Sequence, residues 1–191
     1  EKHGIYVLSD EIYEKLVYGG EKHFSIASCS DYMKEHTIII NGMSKTYSMT
    51  GWRIGYLAAP SKIAKAISSM QSHTTSNADS IAQYASVTAL NGGEDFIDKM
   101  QKTFDERRTY MFNRLSKFSS VKVFEPKGAF YVFPNISEFG MSSRETAEYI
   151  LEKTHVVTSP GDAFGPDGEG YIRICYASKY EDIKEAHRQR S

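Results

Sequence analysis

The stretch of the sequence richest in chemically useful residues is 41–55, where small polar side chains surround a single lysine, Lys45. A lysine in a crowded, partly desolvated pocket loses some of its preference for the charged form, and its free amine is then able to attack a carbonyl and form an imine. Arg53 follows, and its fork-shaped guanidinium suits a phosphate, to which Ser44 adds a hydroxyl. A solvated surface loop with an ordinary lysine and arginine is the competing interpretation.

A carboxylate and a phenol lie in a second stretch, residues 9–13, directly after the first predicted strand. In open α/β sheets, ligands bind at the carboxyl ends of the strands, which is where Asp10 and Tyr13 fall. The same residues also suit a turn or a helix that merely opens with acidic side chains.

The third stretch, residues 171–177, carries Arg173 in the middle of an alternating apolar run. A mid-strand arginine is costly to bury unless it meets an anion, which favours an anion-binding role for Arg173. An edge strand that turns the arginine toward water is the alternative.

The elements that must position these residues divide into two parts. Up to about residue 91, short apolar runs alternate with helical patterns, which predicts an α/β layer with a mostly parallel sheet. Strands of such a sheet are buried on both faces. The predicted strands are 5–9, 37–40 and 55–59, and helical spacing follows at 63–70 and 81–85.

After the turn-forming residues Asn91-Gly92-Gly93, the order of helices and strands is less regular and predicts a smaller α+β domain. One long amphipathic helix covers residues 96–118. The predicted strands of this part are 121–124, 130–133 and 171–176. A capping box at Ser142 predicts one further helix, and a similar pattern at Ser178 predicts the last.

Composition excludes several classes of function. The chain has 191 residues, a formal net charge of −1 and 40% hydrophobic residues, so we expect neither a nucleic-acid surface nor a membrane span. Cys29 and Cys175 lie far apart, as is typical of structural thiols in a reducing cytoplasm. The six histidines show no metal-ligand spacing. The first residues resemble a helix end that leads into a strand, which favours a fragment of a longer protein.

Taken together, the motifs resemble the fold-type I aminotransferases of class I/II, especially the bacterial aspartate-aminotransferase-like branch. The similarity covers nearly the whole chain, with the motifs in family order. The matching strings are SDEIY at 9–13, NGMSKTYSMTGWRIGY at 41–56, SNADSIAQYA at 76–85, PKGAFYVFP at 126–134, and PGDAFG with YIRICYA between 160 and 177. The resemblance implies that residues 1–94 form the second half of a large pyridoxal 5'-phosphate (PLP) binding domain and residues 95–191 a small C-terminal domain.

The resemblance also assigns roles to three residues that meet the reactive part of the cofactor. Lys45 matches the lysine that holds PLP as a Schiff base and then acts as general acid and base on the substrate. Asp10 matches the carboxylate that pairs with the pyridine nitrogen and keeps the ring an electron sink. Tyr13 matches the hydroxyl that bonds the phenolic oxygen of the cofactor.

Further positions match anion contacts in the family. Ser44 and Arg53 match contacts of the PLP phosphate, and Arg173 matches the arginine that grips the substrate α-carboxylate through a bidentate pair. The sequence departs from some relatives at Gly42, where they carry another phosphate-binding hydroxyl, so the resemblance implies one phosphate contact fewer here.

The function implied is transamination between an amino acid, with aspartate the first to try, and a 2-oxo acid such as 2-oxoglutarate, by a homodimer. The family places the phosphate-cradling loop and the ring-stacking aromatic in a portion that precedes the residues matched here, so this chain alone is expected to bind PLP weakly and to catalyse nothing. Two alternatives stay open: a PLP-dependent carbon–sulfur lyase of the same fold, and an inactive fragment without cofactor.

Overall fold

Short paired strands form a small sheet in each half of the chain. The computed structural model describes residues 1–188. The chain divides into two compact units, unit 1 (Glu1–Lys99) and unit 2 (Met100–Ser191). In the described part, no helix is both long enough and apolar enough to cross a membrane.

Unit 1 contains a three-stranded sheet in the order β1-β2-β3. Its strands are β1 (Val7–Asp10), β2 (Thr37–Gly42) and β3 (Gly55–Ala58). All three predicted strands are therefore present, although their ends shift by up to two residues. The helices of unit 1 are α1 (Asp31–His36), α2 (Met43–Thr46), α3 (Ser61–Thr74) and α4 (Ser80–Asn91), and α5 (Asp95–Leu115) begins there.

The direction of β3 differs from the prediction. The strands β1 and β2 pair in parallel as expected, but β3 runs antiparallel to β2. The segment between β2 and β3 holds only α2 and a 3-10 turn, Thr50–Trp52, and no long crossover helix of the kind that carries a chain back for parallel pairing.

The strands of unit 1 are also less buried than a doubly covered parallel sheet requires. Leu8 is 65% exposed and Ile40 is 38% exposed. The side chains that unit 1 does bury include Leu16, Tyr18, Met43 and Ala82. The expectation of burial on both faces is therefore wrong for these strands within the described residues.

Unit 2 contains a second three-stranded sheet, in the order β4-β6-β5, with antiparallel pairing throughout. Its strands are β4 (Tyr131–Val132), β5 (Ser159–Pro160) and β6 (Ile172–Cys175), and its helices after α5 are α6 (Ser143–Thr154) and α7 (Tyr180–Arg188). Ile136, Ile150 and Ile172 form a buried core against which Phe139, Val156 and Ile174 pack.

Two local predictions in unit 2 have different outcomes. The capping box is confirmed, because the Ser142 hydroxyl accepts from the Glu145 amide while the Glu145 carboxylate accepts from the Ser142 amide. The strand predicted at 121–124 is wrong. Only Lys122 pairs there, with Asn135, and Phe124 is 86% exposed, so the apolar alternation finds no partner strand among the described residues.

The last helix begins at Tyr180, and the Ile183 amide donates to the Lys179 carbonyl. The first helical hydrogen bond therefore starts from Lys179, and the expectation that Ser178 caps this helix is off by one residue.

Candidate active site

Strand register brings three predicted site residues of unit 1 to one edge of its sheet. Asp10 is the last residue of β1 and pairs with Ile40 of the parallel strand β2. Lys45 follows the end of β2 within α2. Arg53 comes shortly before β3, whose first residue pairs with the last residue of β2. Asp10, Lys45 and Arg53 therefore lie at the edge formed by the carboxyl ends of β1 and β2.

The antiparallel direction of β3 is what places Arg53 at this edge. If β3 ran parallel to β2, the residues before its first position would lie at the opposite edge of the sheet. The difference from the predicted strand direction therefore supports the predicted grouping of Arg53 with Lys45.

Lys45 and Tyr13 are neighbours at this edge. The Nζ atom of Lys45 lies 5.8 Å from the centroid of the Tyr13 ring. Within α2, Met43 and Thr46 are buried, which leaves Ser44 and Lys45 half-buried on the other side of this short helix. The local fold therefore presents the amine and a hydroxyl together, beside a phenol.

A close approach between two glycines holds the start of this segment. Gly42 pairs with Gly55 across β2 and β3, and a Cβ atom on Gly42 would lie 3.0 Å from both the Gly55 Cα and the Ile54 carbonyl oxygen. A Cβ atom on Gly55 would lie 2.9 Å from the Asn41 carbonyl oxygen. Backbone packing thus gives a physical reason for glycine at position 42, where the resemblance suggested only a missing hydroxyl.

Asp10 is exposed, and a local hydrogen bond orients its carboxylate. Its Oδ1 atom accepts from the Ile12 amide at 3.1 Å. Among residues 1–188, no lysine or arginine forms an ion pair with Asp10, so the carboxylate has no competing cation in the described structure.

The side chain next to Asp10 forms a network that the sequence analysis did not identify. Glu11 is buried and accepts hydrogen bonds from the hydroxyls of Ser25 at 2.6 Å and Ser9 at 3.1 Å, and it lies 2.9 Å from Nε2 of His23. Burial alone raises the pKa of Glu11, but these hydrogen bonds outweigh it and lower the pKa below its ordinary value. The network ties residues 23–25 to the end of β1. The motif at 9–13 contains Glu11, but only burial distinguishes it from a surface acid.

Arg53 has an unusual backbone conformation for its residue type. Its φ angle is 50°, in the left-handed region, and Ser48 in the same segment has φ 54°. Each such non-glycine position costs on the order of 1–3 kcal/mol, and such strain concentrates at binding and catalytic sites. The Arg53 Nη1 atom donates to the Thr50 carbonyl at 2.8 Å, which steadies the exposed guanidinium over the turn before β3.

Arg173 lies in unit 2, on the middle strand of that sheet. Because β6 has neighbours on both sides, the alternative of an edge strand is excluded. The Arg173 side chain is half-buried, and its Cζ atom lies 4.4 Å from the ring centroids of both Tyr131 and Phe164. Its Nη2 atom donates to the Ser159 hydroxyl at 3.5 Å, a long hydrogen bond. The arginine is thus held mainly through the faces of two rings.

The sequence matches the family model described as aminotransferase class I and II over residues 1–189. The chain belongs to this aminotransferase family. It is 45% identical over 188 residues to an aspartate aminotransferase from Pyrococcus horikoshii, covering 97% of this chain and 47% of that protein. It is also 43% identical over 187 residues to aromatic-amino-acid aminotransferase 2 from Thermococcus litoralis, covering 97% of this chain and 48% of that protein.

Solved aminotransferase structures share the fold. A crystal structure of an aromatic aminotransferase from Pyrococcus horikoshii OT3 matches with a TM-score of 0.94 and 41% identity, covering 98% of this chain and 50% of that one. The predicted fold class is therefore confirmed. The chain spans about half the length of the curated relatives it matches.

Proposed function

We propose that this aminotransferase uses PLP to move an amino group between an amino acid and a 2-oxo acid, with Lys45 as the anchor of the cofactor. The grouping of Lys45 with Asp10 and Arg53 at one edge of the sheet carries this proposal. An amine, a carboxylate and a guanidinium are three different groups, suited to an aldehyde, a pyridine nitrogen and a phosphate, and the pairing and direction of the strands bring them to one edge.

The residues present fit PLP in charge and in donor type. Arg53 and the hydroxyl of Ser44 suit the phosphate dianion, since a guanidinium binds phosphate through charge-assisted hydrogen bonds. Asp10 has no cationic partner among residues 1–188 and suits a protonated pyridine nitrogen. Tyr13, beside Lys45, suits the phenolic oxygen.

Each side chain then has a separate task. When bound, PLP supplies an aldehyde that takes up the amino group and a ring that accepts electron density. The Nζ atom of Lys45 would remove and return the proton of the substrate α-carbon, because a free amine acts as general base and its ammonium form as general acid. Arg173 binds the α-carboxylate through its fork of N–H groups. Asp10 and Arg53 hold the cofactor in place.

The first substrates to test are aspartate as amino donor and 2-oxoglutarate as acceptor. The name of the Pyrococcus horikoshii relative supports aspartate, and the name of the Thermococcus litoralis relative makes aromatic amino acids the second choice. A homodimer is the assembly we infer for the full-length gene product. The PLP-dependent carbon–sulfur lyase is separated from this function by its products.

The test begins with chemical labelling of the full-length gene product. The protein is mixed with PLP, reduced with borohydride and digested, and the labelled peptide is mapped by mass spectrometry. We expect the pyridoxyl label on Lys45, and its loss in Lys45→Ala. The matched control is Lys62→Ala in the exposed first turn of α3, which keeps the label on Lys45.

The product assay completes the test. Glutamate formed from 2-oxoglutarate with aspartate or phenylalanine as donor supports transamination, whereas pyruvate and sulfide formed from cysteine would establish the lyase instead. Label scattered over surface lysines, with no product in either assay, would overturn the assignment of Lys45.

A further inference from the structure

The aromatic rings around Arg173 come from two separate parts of unit 2. Tyr131 lies on β4 opposite Cys175, and Arg173 lies two residues before Cys175 on β6. Side chains two residues apart on a strand share a face, so Tyr131 and Arg173 are diagonal neighbours on one face of the sheet. Phe164 reaches the same guanidinium from the 3-10 turn Gly161–Phe164.

The turn that carries Phe164 is fixed by close backbone packing. A Cβ atom on Gly161 would lie 2.1 Å from the Gly168 carbonyl oxygen, so only glycine fits at position 161. The Gly161 amide donates to the Tyr171 carbonyl at 2.9 Å. The hydroxyl of the fully buried Ser143 accepts from the Gly170 amide at 2.8 Å. These contacts hold the two ends of the segment 161–170, which carries Phe164.

Further rings extend this arrangement. Phe133 lies 6.0 Å from Phe164 in an edge-to-face geometry and stacks on Tyr171 at 5.1 Å. Aromatic pairs at these separations add to packing beyond the area they bury. The ring of Phe164 is therefore supported by neighbours, although Phe164 itself is half exposed.

The contacts of Arg173 leave most of its hydrogen-bonding capacity unused. A guanidinium has five N–H donors, and among residues 1–188 the only hydrogen bond of the Arg173 guanidinium is the long contact to Ser159. In the described part of unit 2, no carboxylate forms an ion pair with Arg173. Rings interact with the faces of a guanidinium through their π-electrons and leave its N–H edges available to an anion.

We propose that Tyr131 and Phe164, here called the aromatic clamp, are positioning residues that hold the Arg173 guanidinium ready for the carboxylate shared by all substrates. The clamp sets the affinity for that carboxylate and does not choose among substrate side chains. This inference rests on the proposed function, in which Arg173 binds the α-carboxylate. Without the rings, the long arginine side chain would be ordered only when the substrate binds, and binding would be weaker for every substrate alike.

The expected size of the effect follows from that ordering. Immobilising one flexible side chain on binding weakens an interaction by a factor of about 3 to 10. Phe164→Leu and Tyr131→Leu in the full-length gene product should therefore raise the KM for aspartate and for phenylalanine by about 3- to 10-fold each, with kcat unchanged. The single variants Tyr131→Phe and Phe164→Tyr keep an aromatic ring, so their KM should stay within about 2-fold of the wild-type value.

Two readouts separate positioning from a general loss of structure. Binding of succinate, an unreactive dicarboxylate, should weaken by the same factor as KM, while the amount of bound PLP stays constant. The matched control is Phe124→Leu, since Phe124 is the most exposed phenylalanine of unit 2 and lies outside both proposed sites. It should leave KM, kcat and succinate affinity at wild-type values.

A double-mutant cycle tests whether the rings act through the guanidinium. In an Arg173→Lys background, the loss of the Phe164 ring should change succinate affinity by less than about 2-fold, because the group that the clamp orders is gone. Leucine variants with wild-type KM, an effect confined to one of the two donors, or equal loss in the ring-keeping variants would each overturn the inference.

Failure of the proposed function has a different signature. In that case the wild-type protein makes no product from any donor. The contact between the aromatic clamp and Arg173 is then tested by nuclear magnetic resonance of the Arg173 Nε–H group. Its resonance should show a ring-current shift in the wild type and in Tyr131→Phe, and should lose part of that shift in Tyr131→Leu and in Phe164→Leu. An unshifted wild-type resonance would reject the clamp whatever the reaction.

Discussion

In unit 1 the side chains proposed to contact the cofactor lie where strands end, whereas in unit 2 Arg173 lies in the middle of a strand. The first arrangement depends on backbone packing, because Gly42 and Gly55 bring the ends of β2 and β3 together. The second depends on side chains, because two rings hold the guanidinium. The residues proposed to contact the cofactor therefore lie at the open edge of one sheet, while the residue proposed to bind the substrate carboxylate lies within a strand of the other.

The largest expected effect separates the tasks of the two arginines. Arg173→Lys in the full-length gene product should raise KM for the amino donor about 10- to 100-fold, because lysine cannot form the bidentate pair. PLP affinity should stay unchanged. Arg53→Lys should do the reverse and weaken PLP binding about 10-fold at similar KM, as measured by PLP titration and steady-state kinetics. If both variants alter the same parameter, the two regions do not have the separate tasks proposed.

The role of backbone packing in unit 1 is tested by a glycine pair. Gly42→Ala should lower the free energy of unfolding by about 1–3 kcal/mol. The new Cβ atom would lie 3.0 Å from the Cα atom of Gly55 and from the carbonyl oxygen of Ile54. Urea unfolding followed by circular dichroism measures this change. Gly51→Ala is the matched control, because a Cβ at position 51 meets nothing within 4 Å. Equal effects at the two positions would contradict the argument.

The Glu11 network gives a pH-dependent prediction. Glu11→Gln should lower the free energy of unfolding at pH 7 by about 1–2 kcal/mol, because the charged acceptor of three hydrogen bonds is lost. The pKa of Glu11 is lowered in the folded state from the ordinary value of 4.5, so its stabilising contribution is fully present above pH 4.5 and is lost as the pH falls through the folded-state pKa.

Urea unfolding at several pH values measures this dependence. The difference between the wild type and Glu11→Gln should shrink as the pH falls below about 4.5 toward the folded-state pKa of Glu11. A difference that keeps growing below pH 4.5 would show that the folded state does not stabilise the carboxylate in its charged form.

The smallest effect compares two helix starts in unit 2. Ser142→Ala should cost about 1 kcal/mol, because it removes the side-chain cap of α6. Ser178→Ala should cost less than about 0.5 kcal/mol, because α7 begins at Tyr180 and Ser178 does not cap it. Native-state hydrogen exchange at the first amides of each helix resolves the two sites. Equal loss of protection at both helices would favour the cap first predicted at Ser178.

Local patterns predicted much of this molecule because they depend on neighbours in the chain. The three strands of unit 1, the long helix α5 and the capping box at Ser142 were found where apolar spacing and turn residues indicated them. Five matching strings in family order, with the string around Lys45 among them, predicted the family. The prediction of a strand at 121–124 was wrong, because alternation of apolar and polar residues shows only that a segment suits a sheet. It does not show that a partner strand is available.

The sequence by itself determined the family and most of the order of the elements, and it singled out Lys45 as the lysine to test, since each rests on residue types at short spacing. Tertiary structure decided the direction of β3, the burial of Glu11 and the pairing of Arg173 with Tyr131 and Phe164. The physical reason is that strand direction, burial and ring contacts depend on which distant segments meet. Residue spacing along the chain does not show which distant segments will be in contact.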